Sequence, residues 1–218
     1  TDFTVETVQE ELPLRARAGF SNNGVPIIGR DQWSYGLDWG NALWLDQQFS
    51  YTFTSSLPVW RWGSAMTFQD HTASYAIALP WHDKLVLLGD YAKAKPELGP
   101  DLGLTGINSQ LSARYVLALP SIGRLTQNLQ LGFDFKSSNN NLQFGGTQVL
   151  DVTTQVYQFS VVYSGALKDS LGQTTLDNNL VFTPGNFNSH NSDDEFGVQA
   201  PFAKARYVYD NLAYIRLT

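Results

Sequence analysis

Two places in the sequence bring a histidine close to a serine, which is the pairing that nucleophilic catalysis requires. His71 precedes Ser74, and His190 directly follows Ser189. A serine hydrolase needs an imidazole within hydrogen-bonding reach of the hydroxyl, and many carry the serine in a G-x-S-x-G turn. The sequence contains no such turn, and the third histidine, His82, lies outside both pairs. The pattern favours a protein that is not an enzyme, with a hydrolase built on one of these pairs as the alternative.

Metal ligands are equally sparse in the sequence. The run Asp193-Asp194-Glu195 groups three carboxylates but lacks the alternating spacing of oxygen ligands in a calcium-binding loop. There is no cysteine, and the histidines form no spaced pair of the kind that holds zinc. We therefore expect no metal and no other cofactor, and we interpret the acidic run as a solvated loop.

A different pattern, with a period of two residues, runs through most of the chain. In the segment 125–136, leucine and phenylalanine recur on one parity, whereas threonine, asparagine, glutamine, aspartate and lysine recur on the other. Successive side chains of a β-strand point to opposite faces, so this alternation indicates strands with one apolar and one polar face. Counting such segments from Leu12 to Thr218 predicts about ten strands.

The lengths of the links between these segments also follow a rhythm. Short links near 42–46, 80–83, 120–124 and 169–172 alternate with long ones near 22–31, 56–70, 95–107, 137–152 and 185–202. Outer-membrane β-barrels have this asymmetry, with tight periplasmic turns and long extracellular loops. Five tryptophans lie at or beside the links, where membrane-interface aromatic residues are expected: Trp33, Trp44, Trp60, Trp62 and Trp81.

Composition narrows the possible functions further. Charged residues make up 16% of the chain, below the roughly 25% of an average soluble domain, and no window approaches the roughly 18 apolar residues of a transmembrane helix. The net charge of -6 argues against a nucleic-acid partner, whose phosphates need a basic surface. We predict an all-β transmembrane antiparallel barrel, whose apolar parity faces lipid and whose polar parity faces a wet lumen. A soluble β-sandwich, with its aromatic rings in a core, is the alternative.

The polar parity collects the side chains that we predict to line the lumen of such a barrel. These are Arg15, Arg17, Asp38, Lys84, Asp90, Arg114, Asp134, Lys136, Asp177, Lys204, Arg206, Asp210 and Arg216. Charges of both signs suit a hydrated passage in which an unfolded chain does not adhere to an apolar wall. The same charges could instead fill the barrel as cross-strand ion pairs, and both descriptions can hold together.

Several short strings are similar to those of a known family. The segment LPLRARAGFSNNGVPIIGRDQWSYGLDWGN, followed by FSYTFTSS and SYAIALPW, resembles the start of the barrel in two-partner secretion transporters, the exporters of haemolysins and filamentous haemagglutinins. The first hairpin of that family reads approximately D-N-x-G, then T-G. Here Ser21-Asn22-Asn23-Gly24 and Ile28-Gly29 occupy those places, so the glycines remain while the acidic residue and the threonine differ. The Val-Arg-Gly-Phe/Tyr signature and the closing strand of the family are absent.

The resemblance implies an architecture and a function. Residues 1–218 would form a single barrel region, namely the first ten strands of a 16-stranded barrel, without the POTRA domains and the last strands. The protein would lie in the bacterial outer membrane, in contact with its lipid, and would translocate an unfolded partner exoprotein to the cell surface. Two alternatives remain at this point: an outer-membrane protein assembly factor of the same superfamily, and a passive porin or surface-binding barrel.

Overall fold

The chain folds into one continuous antiparallel β-sheet. The computed structural model describes residues 13–61 and 66–217, and its strands are hydrogen-bonded in the order in which they occur along the chain. They are β1 (Leu14–Ser21), β2 (Gln32–Ala42), β3 (Gln47–Ser55), β4 (Phe68–Ala78), β5 (Lys84–Ala94), β6 (Leu102–Ile122), β7 (Leu125–Phe144), β8 (Thr147–Asp169), β9 (Gly172–Thr183) and β10 (Tyr207–Leu217). A short helix, α1 (Asp193–Gln199), lies between β9 and β10. The prediction of ten antiparallel strands in an all-β fold is confirmed.

Two of the predicted long links contain strand residues. β6 already begins at Leu102, and β7 and β8 continue through the segment 137–152 to a two-residue turn at Gly145 and Gly146. These two glycines have φ of 56° and 77°, the left-handed values that a type I′ hairpin turn needs at both central positions. The prediction of a long link is therefore wrong for nearly all of 137–152 and for the second half of 95–107. In these segments polar residues occur at both odd and even positions. The alternation of apolar and polar residues that indicated the other strands was therefore absent here.

One face of the sheet is mainly apolar and the other is mainly polar. Residues directly opposite each other in antiparallel strands share a face. One row crosses all ten strands at Leu14, Trp39, Phe49, Tyr75, Leu87, Ala113, Phe133, Phe159, Phe182 and Val208. The row beside it, on the opposite side, contains Arg15, Asp38, Ser50, Ser74, Leu88, Ser112, Asp134 and Gln158. We call the two sides the apolar face and the polar face.

No second sheet covers the apolar face among the described residues, because all ten strands belong to one sheet. Leu111 is 59% exposed and Leu131 is 44% exposed on that face. The alternative of a soluble sandwich is therefore wrong, since a sandwich buries its rings between two sheets. The sheet is not closed: β1 pairs only with β2, and β10 pairs only with β9. No helix in residues 13–61 and 66–217 has the length and apolar character needed to cross a bilayer.

The apolar band runs obliquely across the sheet. The apolar residues of β2 span 33–39 and are centred on Gly36, and the hydrogen-bonded row through Gly36 reaches Val156 on β8. The apolar residues of β9 span 176–182 and are centred on Asn179, which lies opposite Val162 on β8. Measured along β8, the centre of the band therefore moves by six residues between β2 and β9. A shift of six residues at about 3.3 Å each, across seven strand spacings of about 4.8 Å, means that the strands are tilted by about 30° from the normal to the apolar band. Strands of membrane barrels tilt by roughly 35–45°, so the slant is close to that of a barrel crossed by a flat membrane.

Aromatic rings mark both ends of the apolar band. At the end with the long loops, the ring centroid of Trp33 lies 4.9 Å from that of Phe20 and 5.2 Å from that of Trp60. At the end with the short links, Trp39 lies 6.4 Å from Trp44. Three tryptophans at these ends are 81%, 70% and 59% exposed, namely Trp44, Trp60 and Trp81. The predicted Trp62 lies outside the described residues.

Candidate functional site on the polar face

Nine of the residues predicted to line a lumen lie on the polar face of the strands. They are Arg15, Arg17, Asp38, Lys84, Asp90, Arg114, Asp134, Lys136 and Asp177. Their partners on that face are hydroxyls and amides as well as charges. Thr72 Oγ1 donates to Asp90 at 3.2 Å, and Ser164 lies directly opposite Asp177. The polar face therefore has charges of both signs set among neutral hydrogen-bonding groups.

The most buried charge on this face is Asp134, whose side chain is 2% exposed. Arg114 Nη2 lies 2.6 Å from Asp134 Oδ1, and the hydroxyl of Ser112 donates to the same oxygen at 2.5 Å. Gln158 donates to Asp134 Oδ2 at 3.2 Å, and the hydroxyl of Tyr207 donates to Gln158 Oε1 at 2.8 Å. We call these five residues the Asp134 network. It extends from β6 to β10, with Tyr207 reaching across β9 to bond with β8.

Gly132 leaves the space in which the side chain of Arg114 lies. Gly132 lies directly opposite Arg114, and a Cβ atom at Gly132 would overlap Ser160 Oγ and lie 3.0 Å from Arg114 Cδ. The guanidinium crosses the bare backbone, donates to the carbonyl of Phe133 at 3.0 Å and reaches Asp134. A side chain at position 132 would therefore push the arginine away from its carboxylate.

The same arrangement occurs a second time at the start of the sheet. Arg17 lies opposite Gly36, where a Cβ atom would lie 3.2 Å from Arg17 Nε. Arg17 Nε reaches Asp38 Oδ2 at 2.8 Å, and Ser50 donates to Asp38 Oδ1 at 2.8 Å. Both sites thus combine an arginine with a Gly-x-Asp segment on the next strand. They differ in burial, because Arg17 and Asp38 are 62% and 35% exposed, against 20% and 2% for Arg114 and Asp134.

Two predicted lumen residues on β10 lie on the other face. Asp210 is opposite Leu180, and Arg216 is opposite Thr174, which is itself opposite Leu167 on the apolar side of β8. Asn178 donates to Asp210 Oδ1 at 2.9 Å. The assignment of Asp210 and Arg216 to the polar face is therefore a mistake in parity. Both parities of β10 contain apolar residues, so only the pairing with β9 decides which face each one occupies.

Lys204 and Arg206 are not on a strand, contrary to the prediction, because β10 begins at Tyr207. Lys204 Nζ lies 3.0 Å from Asp193 Oδ2, and Arg206 Nε donates to the carbonyl of Pro184 at 2.9 Å. They hold the ends of the link between β9 and β10 together.

That link folds back onto β8, and we call residues 186–205 the strap. β9 pairs with β8 only up to Phe159, so the backbone of β8 above that point lacks β9 as a partner. Asn191 of the strap is completely buried, donates from Nδ2 to the carbonyl of Gln155 at 2.7 Å and accepts from the amide of Phe187 at 3.1 Å. The ring of Phe187 lies 4.8 Å from that of Tyr157. The strap thus covers part of a strand edge that would otherwise be open to pairing.

Acid is expected to loosen the strap. The amide of Ala205 donates to Asp193 at 2.9 Å, and this bond, followed by Lys204, holds the pKa of Asp193 below its usual value. A lowered pKa in the folded state means that the charged form contributes stability at pH values above about 3.9, and that this contribution disappears as the pH falls through the lowered pKa. We expect the amide-proton shift of Ala205 to be constant from pH 7 to 5 and to change below about pH 3.9.

An Asp193→Asn variant provides the control for that titration. It retains an acceptor oxygen but has no charge, so its Ala205 amide should not titrate with position 193. An identical acid-induced change in the variant would assign the effect to another group.

Two of the residues considered for catalysis, His71 and Ser74, lie on opposite faces of β4. His71 lies on the apolar face, where its Nδ1 is 2.7 Å from the Tyr51 hydroxyl, whereas Ser74 lies on the polar face. The alternative of a His71–Ser74 pair is therefore wrong. His190 Nδ1 lies 4.0 Å from Glu195 Oε1 in the strap. Within the described ranges, no three histidine, aspartate or glutamate side chains come together as metal ligands.

Comparison with solved structures identifies a protein of similar fold. CdiB from Escherichia coli aligns with a TM-score of 0.69 at 16% sequence identity, and the match covers 93% of this chain. The matched region is 37% of the CdiB chain, so this chain spans a little over a third of that protein. At this identity the likeness shows the fold alone. No family model and no curated protein sequence matches the chain.

Proposed function

We propose that the chain is part of the wall of an outer-membrane pore that secretes an unfolded partner exoprotein by two-partner secretion. The observation that carries the proposal is a ten-stranded wall whose two faces differ in chemistry, one apolar and exposed, the other built from paired charges and hydrogen-bonding groups. The fold is similar to that of CdiB from Escherichia coli. The family resemblance of the first hairpin and of the following strands supports the same assignment.

The polar face has the properties of a passage for an unfolded polypeptide. Such a chain presents peptide groups and side chains of every type, so a wall with a large apolar surface would retain it. Ion pairs such as Arg17–Asp38 and Arg114–Asp134 neutralise charges locally, which leaves hydroxyls and amides as the main contacts. We propose that the predicted lumen residues on the polar face line this passage. The apolar face would contact the acyl chains of the outer membrane.

The two open edges of the sheet support a larger barrel. In hydrocarbon, each unpaired backbone group costs several kcal/mol, so β1 and β10 need partners on their free sides. We propose that this chain forms a single barrel region and that further strands close the barrel, as in the 16-stranded arrangement that the resemblance implies. The share of CdiB covered by the match is compatible with this proposal.

Electrical recording from the full-length protein in a planar bilayer, with its candidate exoprotein, tests the proposed function. We expect the exoprotein to interrupt the current when added on the periplasmic side, and we expect cells that lack the transporter to lose the exoprotein from their surface. A steady open conductance that ignores the exoprotein would instead identify a passive porin. If the exoprotein still reaches the surface while other barrel proteins disappear from the outer membrane, the protein is an assembly factor.

A further inference from the structure

The polar side of β10 differs from the polar side of the other strands. Because of the parity described above, it presents Tyr207, Tyr209, Asn211, Ala213, Ile215 and Leu217. None of these six side chains has a formal charge at neutral pH, which also holds for the polar side of β3, and the two tyrosines are what distinguish β10. We call this row the tyrosine strip. On the described part of β1–β9, the aromatic residues of the polar side are Phe68, the first residue of β4, and Phe144, the last residue of β7.

The two tyrosines of the strip differ, because the ring of Tyr207 is held by a hydrogen bond and the side chain of Tyr209 is about half exposed. The hydroxyl of Tyr207 is held by Gln158, which in turn bonds to Asp134, so this ring is anchored to the most buried charge of the wall. Tyr209, two residues further, lies opposite Val181 and is 53% exposed. Further along the strand, Ile215 is 54% exposed on the same side. An amphipathic surface with two aromatic rings thus extends along the polar side of β10.

We propose that the tyrosine strip is a contact track for the extended exoprotein during its passage. The inference rests on the proposed function and adds the part of the wall that the cargo touches. Tyrosine offers a large, rigid ring and a polar tip, so it makes weak contacts with many different side chains and peptide groups at little cost in conformational entropy. A strip without charge complements the uncharged stretches of an unfolded chain.

Site-specific photo-crosslinking in the full-length transporter tests this track. The photoreactive residue p-benzoylphenylalanine replaces either Tyr209 or Tyr214, while a secretion intermediate of the exoprotein is held in the pore. Tyr214 is the matched control, because it is a tyrosine on the same strand with 63% exposure that lies opposite Leu176 on the apolar face. We expect the probe at position 209 to capture the exoprotein at least tenfold more efficiently than the probe at position 214. Equal capture at both positions would overturn the proposal.

A third probe at Ser50 separates this proposal from the proposed function, since Ser50 lies on the polar face of β3. If position 50 captures the exoprotein and position 209 does not, the pore remains and the track is wrong. If neither position captures it, both proposals fail. A crosslink from position 209 to another segment of the transporter itself would show that the strip is covered internally, which also overturns the track. If a photoreactive residue prevents assembly of the protein, the export rates of the Tyr209→Ser and Tyr214→Ser variants test the track instead. We expect the export rate to fall several-fold in Tyr209→Ser and to stay unchanged in Tyr214→Ser.

Discussion

Substitution of Val161 by arginine is expected to lower the free energy of unfolding in a lipid bilayer by roughly 2–4 kcal/mol. Val161 lies on the apolar face of β8, between Leu131 on β7 and Leu180 on β9, close to the middle of the apolar band. A guanidinium at that depth is separated from water, and its two direct neighbours across the strands, Leu131 and Leu180, offer no side-chain acceptor. Reversible unfolding of the full-length protein from lipid vesicles, monitored by tryptophan fluorescence, measures the difference.

Val162→Arg is the control that the sequence itself supplies. The two residues are identical and adjacent, but Val162 lies on the polar face between Gln130 and Asn179. An arginine there would meet amides and lumen water, so we expect a loss below about 1 kcal/mol, in keeping with the tolerance of lumen positions. Losses of equal size in the two variants would contradict the assignment of the faces.

Removal of the Asp134 carboxylate should have an effect of comparable size. We expect Asp134→Ala to destabilise the full-length protein by about 3 kcal/mol, because Arg114 would remain as a poorly hydrated charge without its counter-ion. The loss also leaves the hydroxyl of Ser112 and the amide of Gln158 without their acceptor. Denaturant titration of the variant in vesicles gives this value. The position of β10 should change as well, since Tyr207 is attached to the network through Gln158.

Asp38→Ala makes the same chemical change at the other Gly-x-Asp segment. Arg17 is well exposed and Asp38 is about one-third exposed, so water can replace the carboxylate, and the expected loss is below about 1 kcal/mol. If Asp38→Ala proves as costly as Asp134→Ala, burial is not what distinguishes the two pairs. The electrostatic description of the Asp134 network would then be wrong.

The strands that were predictable from sequence are those with one clearly apolar parity. In β7, Leu129, Leu131, Phe133 and Phe135 share a side, and the structure places them together on the apolar face. β10 lacks that contrast, because Tyr207 and Ile215 occupy one parity while Leu212 and Tyr214 occupy the other. Its orientation is determined by backbone pairing with β9 after a long link, which residue types alone do not reveal.

The centre of the candidate site was only partly visible in the sequence. Arg114 and Asp134 were predicted to share a face, but their direct pairing depends on Gly132 and on the register between β6 and β7. The repeated Gly-x-Asp segment, at Gly36 and Gly132, was the available signal. The strap could not have been predicted from periodicity, because its main anchor is one buried side chain, Asn191, bonded to the backbone of a distant strand.

The length of β8 has a consequence for tolerance to sequence change. Above Tyr157, the ten residues 147–156 continue beyond the apolar band, and at about 3.3 Å each along a tilted strand they rise by about 25 Å. Together with β6 and β7, they form a hairpin arm closed at its tip by Gly145 and Gly146. In the proposed outer-membrane orientation, this arm would stand outside the cell. Since the strand ladder and the turn constrain the tip, we expect substitutions of its exposed side chains to leave the ten-stranded sheet below unchanged.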